Sequence, residues 1–299
     1  MKKRIKFFLT SVFLIGYFLG LIFSQKHLEN FFYAQISEPL QNIPELKIPE
    51  REKKPKLEIN AKSALSFKIS KNREKFLIQE NAKEPLPIAS LTKLMTAIVI
   101  FEDGNYDFSD FIKISKEAAS QEDVPQYGNL KEGEGFRMKT LLNLMLVYSS
   151  NDAAYALAEK IGIENFVEKM NQKAKELELE NTFFVNPTGL NKQNGKLNYS
   201  TADEIVELTK YILREYPEIF NITLEGGPYP VEKGIFDISL PENKKIIGGK
   251  TGYIPEAGGC MVFVFENENE NIFINVILGA PSLDERAKEM QKLIDWLNS

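Results

Sequence analysis

Apolar positions change period several times along the chain, and each change marks an element. From Phe7 to Phe23 the residues are uncharged and mostly apolar, with no polar stripe. Leu65, Phe67 and Ile69 alternate with polar partners, Ser70-Lys71-Asn72-Arg73 can turn, and Lys75 to Gln79 can return as a second strand. Leu91, Leu94, Met95, Ile98 and Val99 then fall at i, i+3, i+4, i+7 and i+8, which predicts a helix ended by Gly104. Gly128, Gly133 and Gly135 mark loops. A second stripe, Met138, Leu141, Leu142, Met145 and Leu146, stops at Ser149-Ser150-Asn151, which reads locally as a loop carrying a cap for the next helix. An alanine-rich helix resumes at Asp152, and another covers Glu164 to Glu176.

Thr182 to Val185 leads into Asn186-Pro187-Thr188-Gly189-Leu190, a turn by its proline and glycine. Thr201 and Glu204 have capping-box spacing at the start of a helix through Leu213. Phe220 to Asn243 carries only weak strand signals, around Val231 and Ile235. Lys245 to Tyr253, Met261 to Phe265 and Ile272 to Leu278 read as strands, the last two joined as a hairpin by the polar run Glu266 to Asn271. Ser282 and Glu285 form a second box, and Leu283, Ala287, Met290, Ile294 and Leu297 are expected to face inward from a final helix. Strands near both ends with helices between them predict one α/β domain of the α+β type, whose terminal strands share an antiparallel sheet. No internal repeat is present.

Charge changes the reading of the N-terminus. Lys2, Lys3, Arg4 and Lys6 precede the apolar run, the arrangement of an export signal whose basic end stays in the cytoplasm. No small-x-small cleavage pattern follows, since Ile22-Phe23-Ser24 and Phe32-Tyr33-Ala34 are both poor candidates. As a helix the run is roughly 25 Å long, near the lower limit for a bilayer. An uncleaved membrane anchor is therefore expected, with secretion after cleavage as the alternative, and the body of the protein outside the cytoplasm. Pro39, Pro44, Pro49 and Pro55 recur among charged residues, an extended tether that could hold a domain up to roughly 60 Å away. The expected organisation is a basic stub and anchor over residues 1–35, a tether over 36–56 and a folded domain over 57–299.

Composition removes chemistries. The chain has 299 residues, 43% hydrophobic and 26% charged, enough for one large core. A net charge of −5, with no basic run beside aromatics, gives no footprint for nucleic acid. One cysteine, Cys260, excludes an internal disulfide and a thiolate metal cage, and it reads as a buried small hydrophobe. The one histidine, His27, lies in the N-terminal segment, so the domain has no Ser-His-Asp arrangement and no conventional zinc site; no metal or cofactor is expected. A serine hydroxyl needs a base, and in Ser90-Leu91-Thr92-Lys93 a lysine lies one helical turn away on the same face. Ser90 would open its helix, where outward N–H groups support developing negative charge.

Ser90-x-x-Lys93, Ser149-x-Asn151 and Lys250-Thr251-Gly252 occur in that order, the motif set of penicillin-recognising serine enzymes. Pro87 to Ala97, Ser149 to Ala154, Asn186 to Leu190 and Gly249 to Tyr253 closely resemble D-alanyl-D-alanine carboxypeptidases, the low-molecular-mass penicillin-binding proteins. The resemblance covers roughly Leu57 to Ser299. It implies a β-lactamase/transpeptidase-like fold with helices on both sheet faces and a helical subdomain. The implied substrate is a peptidoglycan stem peptide ending in D-Ala-D-Ala, with β-lactams as inhibitors. On this reading Ser90 forms an acyl-enzyme that water hydrolyses. Lys93, if neutral, accepts the serine proton, and its neutrality would require burial and a nearby cation, for which Lys250 is the candidate. Ser149 relays a proton to the leaving amine, and the Asn151 amide meets the substrate backbone. Lys250 and Thr251 receive the terminal carboxylate, while Gly252 leaves room for a peptide along the strand. By the resemblance alone, the backbone N–H groups of Ser90 and Tyr253 form the oxyanion hole.

Departures from the family pattern are local. Ser150 replaces a common glycine, a mild change because its side chain is not the relay. The region before Lys250 is short, so the cleft rim near Phe236 to Pro241 is expected to differ. The chain ends one helix after the sheet, without the β-rich domain and C-terminal amphipathic helix of many relatives, which favours the N-terminal run as the anchor. Three rival readings remain: a β-lactamase-like hydrolase, although Asn186 to Leu190 supplies no deacylating glutamate; a transpeptidase; and a non-catalytic wall-binding scaffold.

Overall fold

The structure is a computed structural model describing residues 2–36, 56–121, 129–191, 195–225 and 236–299. The proline-rich tether, Gly128 and the strand signals at Val231 and Ile235 lie outside these residues. Contacts divide the chain into Met1–Lys53 and Lys54–Ser299. The described residues of the first unit form one helix, α1 (Lys2–Ile36), and its large apolar side chains from Phe13 to Phe32 are exposed. Among the described residues no helix is long and apolar enough to cross a membrane; the side chains of residues 7–12, where the apolar run begins, are outside that set.

The second unit is built on a five-stranded antiparallel sheet from both ends of its sequence. β1 (Ser63–Ser70) and β2 (Arg73–Glu80) form the first hairpin. The other three strands, named in chain order after the intervening short ones, are β7 (Lys244–Ile254), β8 (Gly258–Asn267) and β9 (Ile272–Ala280). The order is β2-β1-β9-β8-β7, so β1 pairs with β9 across some 200 residues of sequence, as in Leu65 opposite Val276. β8 is buried on both faces, which explains its unbroken apolar run. Cys260, Val262 and Val264 point into the large core beneath the helices. Met261, Phe263 and Phe265 point the other way, against α9 (Leu283–Asn298).

Between the hairpins lie β3 (Leu86–Pro87), α2 (Thr92–Glu102), β4 (Phe111–Lys113), α3 (Lys116–Ala119), β5 (Gly135–Arg137), α4 (Met138–Val147), α5 (Asn151–Glu159), α6 (Ile163–Glu176), β6 (Tyr199–Ser200), α7 (Ala202–Glu215) and α8 (Glu218–Leu224). Every residue of α2 from Thr92 to Ile100 is buried. A helix apolar nearly all round belongs at the centre of a core, and α2 packs against α4, α5 and α6.

Three expectations change. Leu283 is not inward: it is 50% exposed, and the docked stripe is Met290, Leu293 and Ile294. It is the first residue of α9, ahead of the part that settles on the sheet. The capping boxes are half formed. The hydroxyls of Thr201 and Ser282 accept from the N–H groups of Glu204 and Glu285, as expected. The carboxylates turn elsewhere, Glu204 to Asn181 and Thr182, and Glu285 to Lys288. Finally, α8 opens the stretch from Phe220 in which the pattern predicts no helix, the weak strand signals lying further on at Val231 and Ile235. At two turns it is too short for its period to show, and Pro217 opens it.

Candidate active site

Ser90 lies in a short 3-10 turn, Ala89–Leu91, that leads directly into α2. Lys93 is the second residue of that helix and is fully buried. Its Nζ is 2.9 Å from Ser90 Oγ, 2.6 Å from Asn151 Oδ1 and 2.8 Å from the Thr188 carbonyl oxygen. The two carbonyl-type oxygens can only accept. A neutral amine has two N–H groups and one lone pair; were Lys93 neutral, donation to Asn151 and Thr188 would leave its lone pair toward the Ser90 hydroxyl. One buried amine thus joins the serine to the Asn151 side chain and the Thr188 turn.

The triplet Ser149-Ser150-Asn151 is both a cap and a site. Ser150 Oγ accepts from the Ala153 N–H and caps α5. Its neighbours then point outward from the cap: Asn151 to Lys93, and Ser149 to Lys250, whose Nζ donates to Ser149 Oγ at 2.9 Å. Because the Ser149 oxygen accepts there, its own hydrogen is free to be donated to another group. Ser149 has φ +63 and Ala89, beside Ser90, has φ +45. Such left-handed non-glycine residues cost about 1–3 kcal/mol each and concentrate where chemistry demands a fixed direction.

β7 closes the other side. Lys250 is buried and also donates to the Thr251 carbonyl at 3.0 Å. Burial holds its pKa well below the ordinary lysine value, and the charges of Lys93 and Arg286 push the same way. The lysine expected to serve as the neighbouring cation is thus itself held towards neutrality. A Cβ on Gly252 would lie 2.8 Å from the Ser90 nitrogen, so the absent side chain lets the strand backbone meet the Ser90 turn, not only a peptide. Tyr253 follows at the exposed edge of the cleft.

The stretches Asn186 to Leu190 and Pro87 to Ala97 are singled out by resemblance, but the way they support this cluster is not. Asn186 Oδ1 accepts from the Thr188 and Gly189 N–H groups and so shapes the turn that presents the Thr188 carbonyl. Thr96 on α2 donates to the Pro187 carbonyl at 2.7 Å, and buried Asn198 links Thr92 to Val185 and Asn186. Gly189, at φ +90, has the Ala89 carbonyl oxygen 2.1 Å from where a Cβ would stand. Arg286 of α9 donates to the Gly252 carbonyl at 3.2 Å and places a guanidinium beside the two lysines. Asn198 and Arg286 stand in none of the motif stretches, and only long-range contact reveals them.

Comparison with known proteins agrees with the motif resemblance. A family profile described as D-alanyl-D-alanine carboxypeptidase matches residues 49–282. The carboxypeptidase DacF of Bacillus subtilis is 35% identical over 248 residues, 79% of this chain and 61% of that protein. DacA of Haemophilus influenzae is 30% identical over 70% of this chain and 54% of its own length. The chain thus spans little more than half the length of these relatives. The cefotaxime-bound penicillin-binding protein D2 of Listeria monocytogenes superposes with a TM-score of 0.68 at 27% identity, covering 82% of this chain and all of that one. Penicillin-binding protein 5 of Haemophilus influenzae gives 0.69 at 27%, covering 81% and 72%.

Proposed function

The chain belongs to the D-alanyl-D-alanine carboxypeptidase family, and from that membership we propose that it removes the terminal D-alanine from peptidoglycan stem peptides through an acyl-enzyme on Ser90. The observation that carries the proposal is the buried Lys93 amine, whose Nζ lies 2.9 Å from Ser90 Oγ, 2.6 Å from Asn151 Oδ1 and 2.8 Å from the Thr188 carbonyl oxygen. Ser90 Oγ attacks the carbonyl of the penultimate D-alanine as its proton passes to Lys93 Nζ, and the N–H groups of Ser90 and Tyr253 hold the oxyanion. On collapse the C–N bond breaks, and the proton held by Lys93 Nζ passes by way of Ser149, whose oxygen accepts from Lys250, to the leaving amine, which leaves Lys93 neutral again. Water then attacks the ester, Lys93 again acts as base, and Ser90 is regenerated. Asn151 pairs with the substrate backbone. Lys250 and Thr251, with the Arg286 guanidinium nearby, receive the terminal carboxylate, whose negative charge offsets the burial that depresses the Lys250 pKa.

The same proposal includes acylation by β-lactams, which relatives such as the Listeria protein bind. It also includes the organisation: residues 1–35 as a membrane anchor and 36–56 as a tether, with the catalytic domain over 57–299 in the bacterial envelope. Support comes from the basic flank, the apolar run and the exposed apolar side chains of α1.

The test is release of D-alanine from a pentapeptide ending in D-Ala-D-Ala, with stoichiometric labelling by a fluorescent penicillin. Ser90→Ala is expected to abolish both. Persistent labelling of that variant refutes the assignment, and product masses with an added acceptor amine separate hydrolysis from transpeptidation.

A further inference from the structure

β7 changes face once, and the change decides where Lys250 points. Side chains alternate along a strand, so in an unbroken ladder Ile246, Gly248, Lys250 and Gly252 would share one face. They do not. Ile246 stands opposite Phe265, on the side of the sheet covered by α9. Gly248 stands opposite Val264 and Lys250 opposite Val262, on the side that looks into the helices. The residue between, Ile247, has no partner on β8 and packs into the same helical core. This is a β-bulge, and it moves each later even-numbered residue of β7 to the catalytic side. Without it Lys250 would stand opposite Met261, beneath α9 and away from Ser149.

α8 holds the bulge from outside the sheet. β7 is an edge strand, paired only with β8, so a helix supplies the tie that a second strand would otherwise give. Thr223 of α8 is fully buried; its hydroxyl donates to the Phe220 carbonyl at 2.7 Å and accepts from the Gly249 N–H at 3.3 Å. Gly249 is the residue between the bulge and Lys250. The contact is close: a Cβ on Gly248 would lie 2.6 Å from Phe220 Cβ and 2.9 Å from Thr223 Oγ1.

We propose that Thr223 is a positioning residue for carboxylate recognition, fixing through Gly249 the bulge that turns Lys250 into the cleft. This inference rests on the carboxypeptidase reading, in which Lys250 and Thr251 receive the terminal carboxylate. Without the hydroxyl the Gly249 N–H is buried and unpaired, which favours movement of the extra residue along the strand. A bulge that slips past Lys250 returns that side chain to the α9 face, and a smaller shift already misplaces it.

The test compares acylation of the full-length protein by benzylpenicillin, which carries a carboxylate beside its reactive amide, with acylation by its methyl ester, both followed by intact mass. In Thr223→Val the acid is expected to be slowed about 30-fold and the ester about threefold, so the preference for the acid falls about tenfold. The ester is slowed at all because Lys250 also pairs with Ser149. Thr223→Ser keeps the hydroxyl and is expected to retain the wild-type preference. Thr223→Ala removes the hydroxyl without adding bulk; it is expected to lose the preference as well, and serves if the valine variant does not fold. No preference in the wild type, equal slowing of both probes, an unchanged preference without the hydroxyl, or its loss in Thr223→Ser overturns the proposal. Failure of the wild type to react with either probe instead refutes the carboxypeptidase reading, and this inference falls with it.

Discussion

Gly189→Ala is the substitution by which the supporting loop can be separated from the catalytic residues. Gly189 touches no substrate in the proposed mechanism, yet its neighbour Thr188 supplies a carbonyl to Lys93 at 2.8 Å. An added methyl would stand 2.1 Å from the Ala89 carbonyl oxygen and 2.9 Å from the Ser90 nitrogen. Ordinary contact needs more than 3.4 Å, so loop and Ser90 turn must separate by over an ångström, and both partners are backbone. At φ +90 alanine is also strained in place. Overpacking costs about 1–3 kcal/mol. The backbone penalty adds about 1–2 kcal/mol, for a total destabilisation near 2–5 kcal/mol. Misplacement on this scale at a reacting centre costs about 100-fold in rate. The expected result is a folded protein with a lower denaturation midpoint and an acylation rate by fluorescent penicillin reduced about 100-fold. Gly104→Ala is the control, since nothing lies within 4 Å of that position. If Gly189→Ala acylates within about twofold of wild type, the loop is not positioning Lys93 and the reasoning fails.

Two further outcomes follow from the same geometry. Lys250 binds its proton more weakly when folded than when unfolded, so unfolding takes up a proton at pH values between its depressed pKa and the ordinary lysine value. Its burial cost is fully present below the depressed pKa and is relieved as pH rises towards about 10.4; the urea midpoint of Lys250→Met relative to wild type should therefore narrow with rising pH, and a constant gap contradicts this. Asn198→Ala would strand the Val185 N–H and the Asn186 carbonyl, both bonded to that side chain, and is expected to cost about 2–4 kcal/mol by guanidinium unfolding, together with slower acylation; a loss below about 0.5 kcal/mol argues against the bracing role.

Much of the fold was legible because its long elements carry one clean period each. The β1–β2 hairpin, the α2 and α4 stripes and the apolar β8 and β9 runs all appear where periodicity put them. Errors fell where local pattern is short or ambiguous. α8 is two turns long, Leu283 sits ahead of the docked part of its helix, and the two box glutamates found better partners than the N–H groups beside them.

The sequence by itself determined the chemical vocabulary of this protein. With His27 outside the domain and one cysteine, hydroxyl, amine, amide and carboxylate groups remained, and Ser90 with Lys93 was the pair that local helical spacing could join. Spacing along one helix is local, so it can be read from sequence. The tertiary structure decided the rest, because the decisive partners come from distant elements. Lys93 meets Asn151 and Thr188 from 58 and 95 residues away. Ser149 is paired with Lys250 from across the sheet, and Arg286 reaches the Gly252 carbonyl from the final helix. The partners that orient the Lys93 amine meet it only once α2, the α4–α5 turn and the Thr188 turn are packed together.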